Sequence, residues 1–226
     1  MTDITFSPST SLGQIAADHP ETVSVFLDLD LDFCCGGKDS LERACSAAKL
    51  NESEVVERLV KVAGQSDSST QGWSDSSTAD LIKHLVDAFH QPLRILLPNL
   101  ETLSLRVEEA HGPNHGAVLT KLRETVQAFK ADLLQHLEDE ETRLFPMLET
   151  GNSEEISKLI QGLNEDHLNV AAVLEQFREL TNSYTLPEDA CGTWKSLWWN
   201  LQKLESDLKR HIHLENNVLF PRFTQQ

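Results

Sequence analysis

The chain lacks several features that would place it in a common class. It has no run of ~18 apolar residues, so no segment is expected to span a bilayer. Its first residues, MTDITFSPSTSLGQ, carry neither a basic start nor an apolar stretch, so no secretory signal is expected. Basic residues are scarce: 19 Lys and Arg stand against 36 Asp and Glu, a formal charge of −17. Such a surface repels nucleic acid and anionic lipid, so neither is an expected partner. The four cysteines, Cys34, Cys35, Cys45 and Cys191, form no C-x-x-C pair, which argues against a zinc finger and a secreted disulfide framework. A reducing cytoplasm is the expected location. No flavin or nicotinamide fingerprint is present either, so redox chemistry would need electrons from a partner or from the cysteines.

What is present is organised in two parts. Residues 64–78, GQSDSSTQGWSDSST, have linker composition. Before them, residues 1–63 carry four short apolar clusters at helical spacing. These are Leu12, Ile15 and Ala16; Val23, Val25, Phe26 and Leu27; Leu41, Ala44, Cys45 and Ala48; and Val55, Val56, Leu59 and Val62. After them, residues 79–226 hold four long periodic stretches, separated by breakers at 111–114, 150–153 and 185–188. Long helices joined by short loops pack antiparallel. The expected fold is all-α: a four-helix bundle preceded by a small helical domain.

Two segments of the bundle repeat each other. HLEDEETRLFP starts at His136 and HIHLENNVLFP at His211, 75 residues later (136 to 211). Both read His-x-x-x-Glu-x-x-x-Leu-Phe-Pro. Each is preceded by an isolated histidine, His90 lying 46 residues before the first (90 to 136) and His167 lying 44 before the second (167 to 211). All six residues fall on apolar stripes with steps of three and four. The first stripe is Ile82, Val86, His90, Leu93, Leu97, Leu100, and the second is Val126, Phe129, Leu133, His136, Glu140, Leu144, Met147. The third is Ile156, Ile160, Leu163, His167, Val170, Leu174, Phe177, and the fourth is Leu197, Leu201, Leu204, Leu208, His211, Glu215, Val218. His and Glu occupy positions where Leu or Val belongs.

Burying a carboxylate without a partner costs several kcal/mol, and a cation resolves that cost. Residues four apart share a helix face, so His136 and Glu140 can reach one centre, as can His211 and Glu215. With His90 and His167, four imidazoles and two carboxylates suit a dinuclear site with the carboxylates as bridges. Imidazole ligands favour iron, manganese or zinc over magnesium and calcium. A lone inward histidine is more often a satisfied core residue, but that reading must hold six times, in phase and in duplicate. The other histidines, His19, His84, His111, His115 and His213, lie off these positions. Glu138, Asp139 and Glu141 read as a solvated face, and so does Asp166, whose alternative beside His167 is an acid behind the ligands or on the entry path; Trp194, Trp198 and Trp199 read as packing residues, and Cys45 and Cys191 as structural.

Asp32-Phe33-Cys34-Cys35-Gly36-Gly37-Lys38 is the second unusual string. Nearby amide N–H groups and Lys38 would lower the thiol pKa values, making Cys34 and Cys35 candidates for redox or thiol chemistry. The plain alternative is two small residues buried at a turn.

DFCCGGK in a small N-terminal domain, followed by two HxxxExxxLFP motifs, resembles the iron–sulfur cluster repair proteins of the RIC family, of ScdA and YtfE type. The resemblance covers nearly the whole chain, and LENNVLFPR at 214–222 is especially close. It implies a hemerythrin-like bundle and a non-haem centre of two iron ions, oxo- or hydroxo-bridged, held by His90, His136, Glu140, His167, His211 and Glu215. It also implies repair of iron–sulfur proteins damaged by nitric oxide or oxygen species, by donation of iron. The alternative at the same site is reduction of nitric oxide. A gas carrier or sensor is disfavoured because Ala171 stands where the oxygen carrier has a second histidine. Homodimerisation stays open. Pro92 removes a backbone donor close to His90, so a local bend is expected there.

Overall fold

The computed structural model describes residues 4–65, 72–150 and 153–224. The expected linker falls partly outside them, at 66–71, as do Gly151 and Asn152 of the second breaker. Among the described residues the protein is all-α; the only bridge is an isolated one between Ser11 and Ser40. The chain forms two compact units, Met1–Lys83 with Lys209–Gln226, and His84–Leu208.

In the first unit, each expected apolar cluster is a helix: α1 (Leu12–Asp18), α2 (Val23–Asp28), α3 (Leu41–Ala48) and α4 (Glu52–Ala63). The starts of α1, α3 and α4 are set by side-chain caps. Ser11 Oγ accepts from the Gln14 amide at 3.2 Å, Ser40 Oγ from Arg43 at 3.3 Å and Asn51 Oδ1 from Ser53 at 3.0 Å. Lys49 ends α3 in the left-handed region at φ 56°. Leu12, Ile15, Phe26, Phe33, Leu41 and Leu59 close one core. Each such buried side chain contributes about 1.5–3 kcal/mol.

The C-terminal segment belongs to the same unit. Asn217 Nδ2 donates to the carbonyls of Phe33 and Cys34, both at 3.1 Å. A Cβ on Gly13 or on Gly37 would lie 2.5 Å from Asn217 Oδ1, so the carboxamide occupies space that only glycine leaves. Arg222 donates to the carbonyls of Ser76 at 2.9 Å and Trp73 at 3.0 Å, tying down the turn before α5 (Thr78–Leu85).

In the second unit, α6 (Gln91–Asp139) contains one non-helical residue, His115, at φ −129° and ψ 16°. The expected loop at 111–114 is instead helical, and the reversal is compressed to His115. Its two arms run antiparallel, because Glu108 pairs with Arg123, Glu101 with Lys130 and Arg94 with Glu138. α7 (Phe145–Thr150) and α8 (Ser153–Leu180) follow. α8 lies antiparallel to the second arm, with Phe177 against Phe129 and His167 against His136. α9 (Gly192–Leu214) contributes residues 192–208 to this unit, where Glu205 accepts from Arg178 and from the Tyr184 hydroxyl. A last short helix, α10, is Pro221–Thr224. Trp194 and Trp198 are buried as expected, but Trp199 is 62% exposed.

Three π-helical turns interrupt these helices, at Val86–His90, Glu140–Leu144 and Glu215–Leu219. In each, the first residue's carbonyl accepts from the amide five residues on: Gln91 to Val86, Phe145 to Glu140, Phe220 to Glu215. In each, the next residue is proline: Pro92, Pro146 and Pro221. Proline has no N–H to continue the α-type ladder, and a widened turn absorbs the missing donor. The extra residue shifts the core face by one position. Leu81 and Leu85 are therefore buried in place of Ile82 and Val86, and Leu148 in place of Met147.

Replacing Gly37 with alanine should lower the unfolding free energy by about 1–3 kcal/mol, since the new methyl overlaps Asn217. Urea denaturation followed by circular dichroism reads this directly. An unchanged midpoint would show that the loop does not need the bare Cα.

Candidate metal centre

In the second unit, Glu140 is fully buried and faces two imidazoles. Its Oε2 lies 3.6 Å from His90 Nε2, and its Oε1 lies 3.4 Å from His136 Nε2. The His136 and His167 ring centroids are 5.0 Å apart, and donor atoms of His136, Glu140 and His167 all lie within 4.8 Å of one another. Neither Glu140 oxygen has a hydrogen bond. A buried carboxylate whose two oxygens each face an imidazole nitrogen has a donor set that suits a metal ion. In the first unit, His211 Nε2 and Glu215 Oε1 are 3.0 Å apart, both buried.

The backbone explains the placement. His136 to Glu140 and His211 to Glu215 each span one α-turn, and each glutamate opens a π-turn. His90 closes one. The bend expected from Pro92 is this π-turn, and it turns His90 fully into the interior. π-turns of this kind recur at functional sites, because the extra residue re-aims side chains without ending the helix.

Glu141 corrects the expectation of a solvated face. Its Oε1 lies 2.8 Å from His90 Nδ1 and also accepts from Arg94 at 3.1 Å. Burial pushes the Glu141 carboxyl up, but the hydrogen bonds from His90 and Arg94 outweigh it and hold it below the usual range. A carboxylate at Nδ1 favours the Nδ1–H tautomer and leaves Nε2 free of a proton toward the centre. Asp166 stands similarly, 3.4 Å from His136 Nδ1, though half exposed. Spacing did not reveal Glu141, since the residue after an inward glutamate would ordinarily face away. The proline six residues beyond Glu140, repeated after Val86 and Glu215, was the available signal.

A cavity of about 270 Å³ reaches His136 from the surface. Asp132, Asp139 and Asp166 line it together with Gln135 and Asn169. Three carboxylates in one concavity focus a negative potential on that imidazole.

The comparisons with known proteins agree with this architecture. The hemerythrin HHE cation-binding domain matches residues 81–223, and the ScdA N-terminal domain, a domain of unknown function, matches residues 8–63. A probable iron-sulfur cluster repair protein of Haemophilus influenzae is 37% identical over 212 residues, covering 93% of this chain and 95% of the relative. The chain belongs to the RIC family of iron–sulfur cluster repair proteins. The iron-sulfur cluster repair protein YtfE of Pectobacterium atrosepticum is also 37% identical, over 216 residues, covering 94% of this chain and 95% of that one. YtfE of Dickeya chrysanthemi is 35% identical over 212 residues, with coverage of 94% and 95%.

The cysteine string of this RIC-family chain differs from the expected acidic thiol pair. The Cys34 and Cys35 amides donate to Asp32 Oδ1, at 3.1 and 2.9 Å, rather than to sulfur. Cys34 is buried and its thiol donates to the same oxygen at 3.2 Å. The neighbouring Cys35, then burial, then Asp32 push the Cys34 thiol well above its usual pKa. Cys45 lies in the first unit's core as expected. Cys191 is exposed, and His111, followed by the first amides of α9, pulls its thiol down to about 7.

Removing the Glu141 side chain should weaken metal affinity about 10-fold or more, with helix content unchanged. Chelator competition on purified Glu141→Ala measures it. Unaltered affinity would mean that His90 keeps its orientation without Glu141, as through its stacking on Phe145 at 5.8 Å between ring centroids.

Proposed function

We propose that this protein holds two iron ions through His90, His136, Glu140, His167, His211 and Glu215, and gives iron to iron–sulfur proteins whose clusters were damaged by nitrosative or oxidative stress. The single observation that carries the reading is Glu140: a fully buried carboxylate without a hydrogen bond, aimed at two imidazoles in a hemerythrin-family domain. Glu215 begins the second copy of the same motif, so the duplicated pair supplies the other carboxylate.

The names of the relatives support the repair role, and the composition supports a reducing cytoplasm. The proposed division is a helical domain at 1–63, a linker at 64–78 and the di-iron bundle at 79–226. When bound, such a pair supplies a Lewis-acidic and redox-active centre with exchangeable positions. The chain's own groups do the rest. Glu140 and Glu215 neutralise the cations in a low-dielectric interior, and Glu141 fixes the ring of His90. Asp132, Asp139 and Asp166 give a departing cation a polar, negative path past His136. Imidazole and carboxylate ligands without thiolates keep the iron exchangeable, which suits a donor.

Holo protein mixed with an apo iron–sulfur protein under nitrogen should lose iron as the acceptor regains its cluster absorption, given sulfide. If the acceptor stays empty while added nitric oxide is converted to nitrous oxide with the iron retained, the site is a reductase instead. Glu140→Leu and Glu215→Leu should each lower metal content with little change in helicity. Full loading of both variants would overturn the ligand assignment.

A further inference from the structure

The Cys34-Cys35 string and the metal-ligand motif meet within the first unit. The Cys34 carbonyl accepts from Asn217 at 3.1 Å and from Asn216 at 3.4 Å. The Phe33 carbonyl accepts from Asn217 at 3.1 Å and lies 3.3 Å from His213 Nδ1. His213, Asn216 and Asn217 bracket Glu215, and both asparagines belong to its π-turn. Gly13 and Gly37 leave room for the Asn217 carboxamide and for nothing larger. The peptide joining the two cysteines is thus hydrogen-bonded to the turn that carries a proposed iron ligand.

We propose that Cys34 and Cys35 are a thiol modification site whose oxidation to a disulfide releases the Glu215 turn through Asn217. The inference rests on the di-iron reading above. The oxidant is a peroxide. The less buried Cys35 sulfur attacks one peroxide oxygen, giving a sulfenic acid and one water. Cys34 then displaces the second oxygen as water and forms the S–S bond, so two thiols and one hydrogen peroxide become one disulfide and two waters. Asp32 Oδ1, already accepting the Cys34 S–H, takes that proton and passes it to the leaving hydroxide. The disulfide closes an eight-membered ring that contains the Cys34–Cys35 peptide. Closing it turns that peptide, and the Cys34 carbonyl leaves the Asn216 and Asn217 amides. Asn217 is a positioning residue: it touches no iron but holds the turn from which Glu215 projects.

The test treats iron-loaded full-length protein with one equivalent of hydrogen peroxide, removes what is left, and then reads iron release with a ferrous chelator and ascorbate, which reduces ferric iron but leaves a disulfide intact. The peptide containing Cys34 and Cys35 should lose two hydrogens by mass spectrometry. Iron should then pass to the chelator about tenfold faster than from the dithiol form, and dithiothreitol should restore the slow rate. Asn217→Ala should release iron at the fast rate before oxidation and gain little from peroxide. Cys34→Ser/Cys35→Ser should ignore peroxide, and an equal acceleration in that variant would place the effect at the iron and overturn the proposal. So would a disulfide that leaves the rate unchanged, or no disulfide at all. Protein that holds two irons yet does not respond refutes only this coupling, whereas protein that holds no iron refutes the di-iron reading itself.

Discussion

The arrangement depends on one costly group. Glu140 is a carboxylate with no exposure and no hydrogen bond, placed between two imidazoles in a helical interior. An ionised carboxylate in such a place is tolerated only with a compensating cation. The other features of the site serve that group: the π-turn that aims it, the His90 and His136 rings that face it, and Glu141 and Asp166 behind those rings. Stability and function are therefore in tension here. A bundle with leucine at these positions would pack more simply, and the chain keeps a buried glutamate in its interior twice over.

The proline of each Leu-Phe-Pro motif has a structural meaning that spacing alone does not convey. It removes the amide that would continue the α-ladder, and the chain answers with a turn one residue wider. The same solution appears before Pro92, where no Leu-Phe-Pro motif stands. One backbone device, used three times, places His90, Glu140 and Glu215. It also makes Leu85, Leu148 and Leu219 the residues that seal the core beside them.

Much of this was legible in the sequence. The six inward His and Glu residues were visible because polar residues in an apolar stripe are conspicuous, and the N-terminal helices because their apolar residues recur at steps of three and four. What was missed shares one cause. A period of 3.6 cannot see a π-turn, so the stripe through Ile82 and Val86 was drawn one residue out, and Glu141 was left on the solvent side. The turn at 111–114 failed for a different reason: Gly112 and Pro113 mark a break, but the backbone stays helical through both and departs only at His115. The cysteine string was read for its sulfurs, while its hydrogen bonds run mainly through amides and carbonyls. Asp32 caps the two amides, and Asn217 takes the two carbonyls. The Asp32 link is a local turn two and three residues long, whereas Asn217 lies more than 180 residues away in the chain.

The measurement that bears most directly on the central claim is the metal content of protein purified from iron-sufficient cells, taken with its optical spectrum, for the native chain and for Glu140→Leu. The account predicts about two irons per native chain, with ferric charge-transfer absorption, and a marked loss of iron in the variant without loss of helix. A native chain that carries no metal or a single zinc, or a variant that keeps both irons, would contradict it.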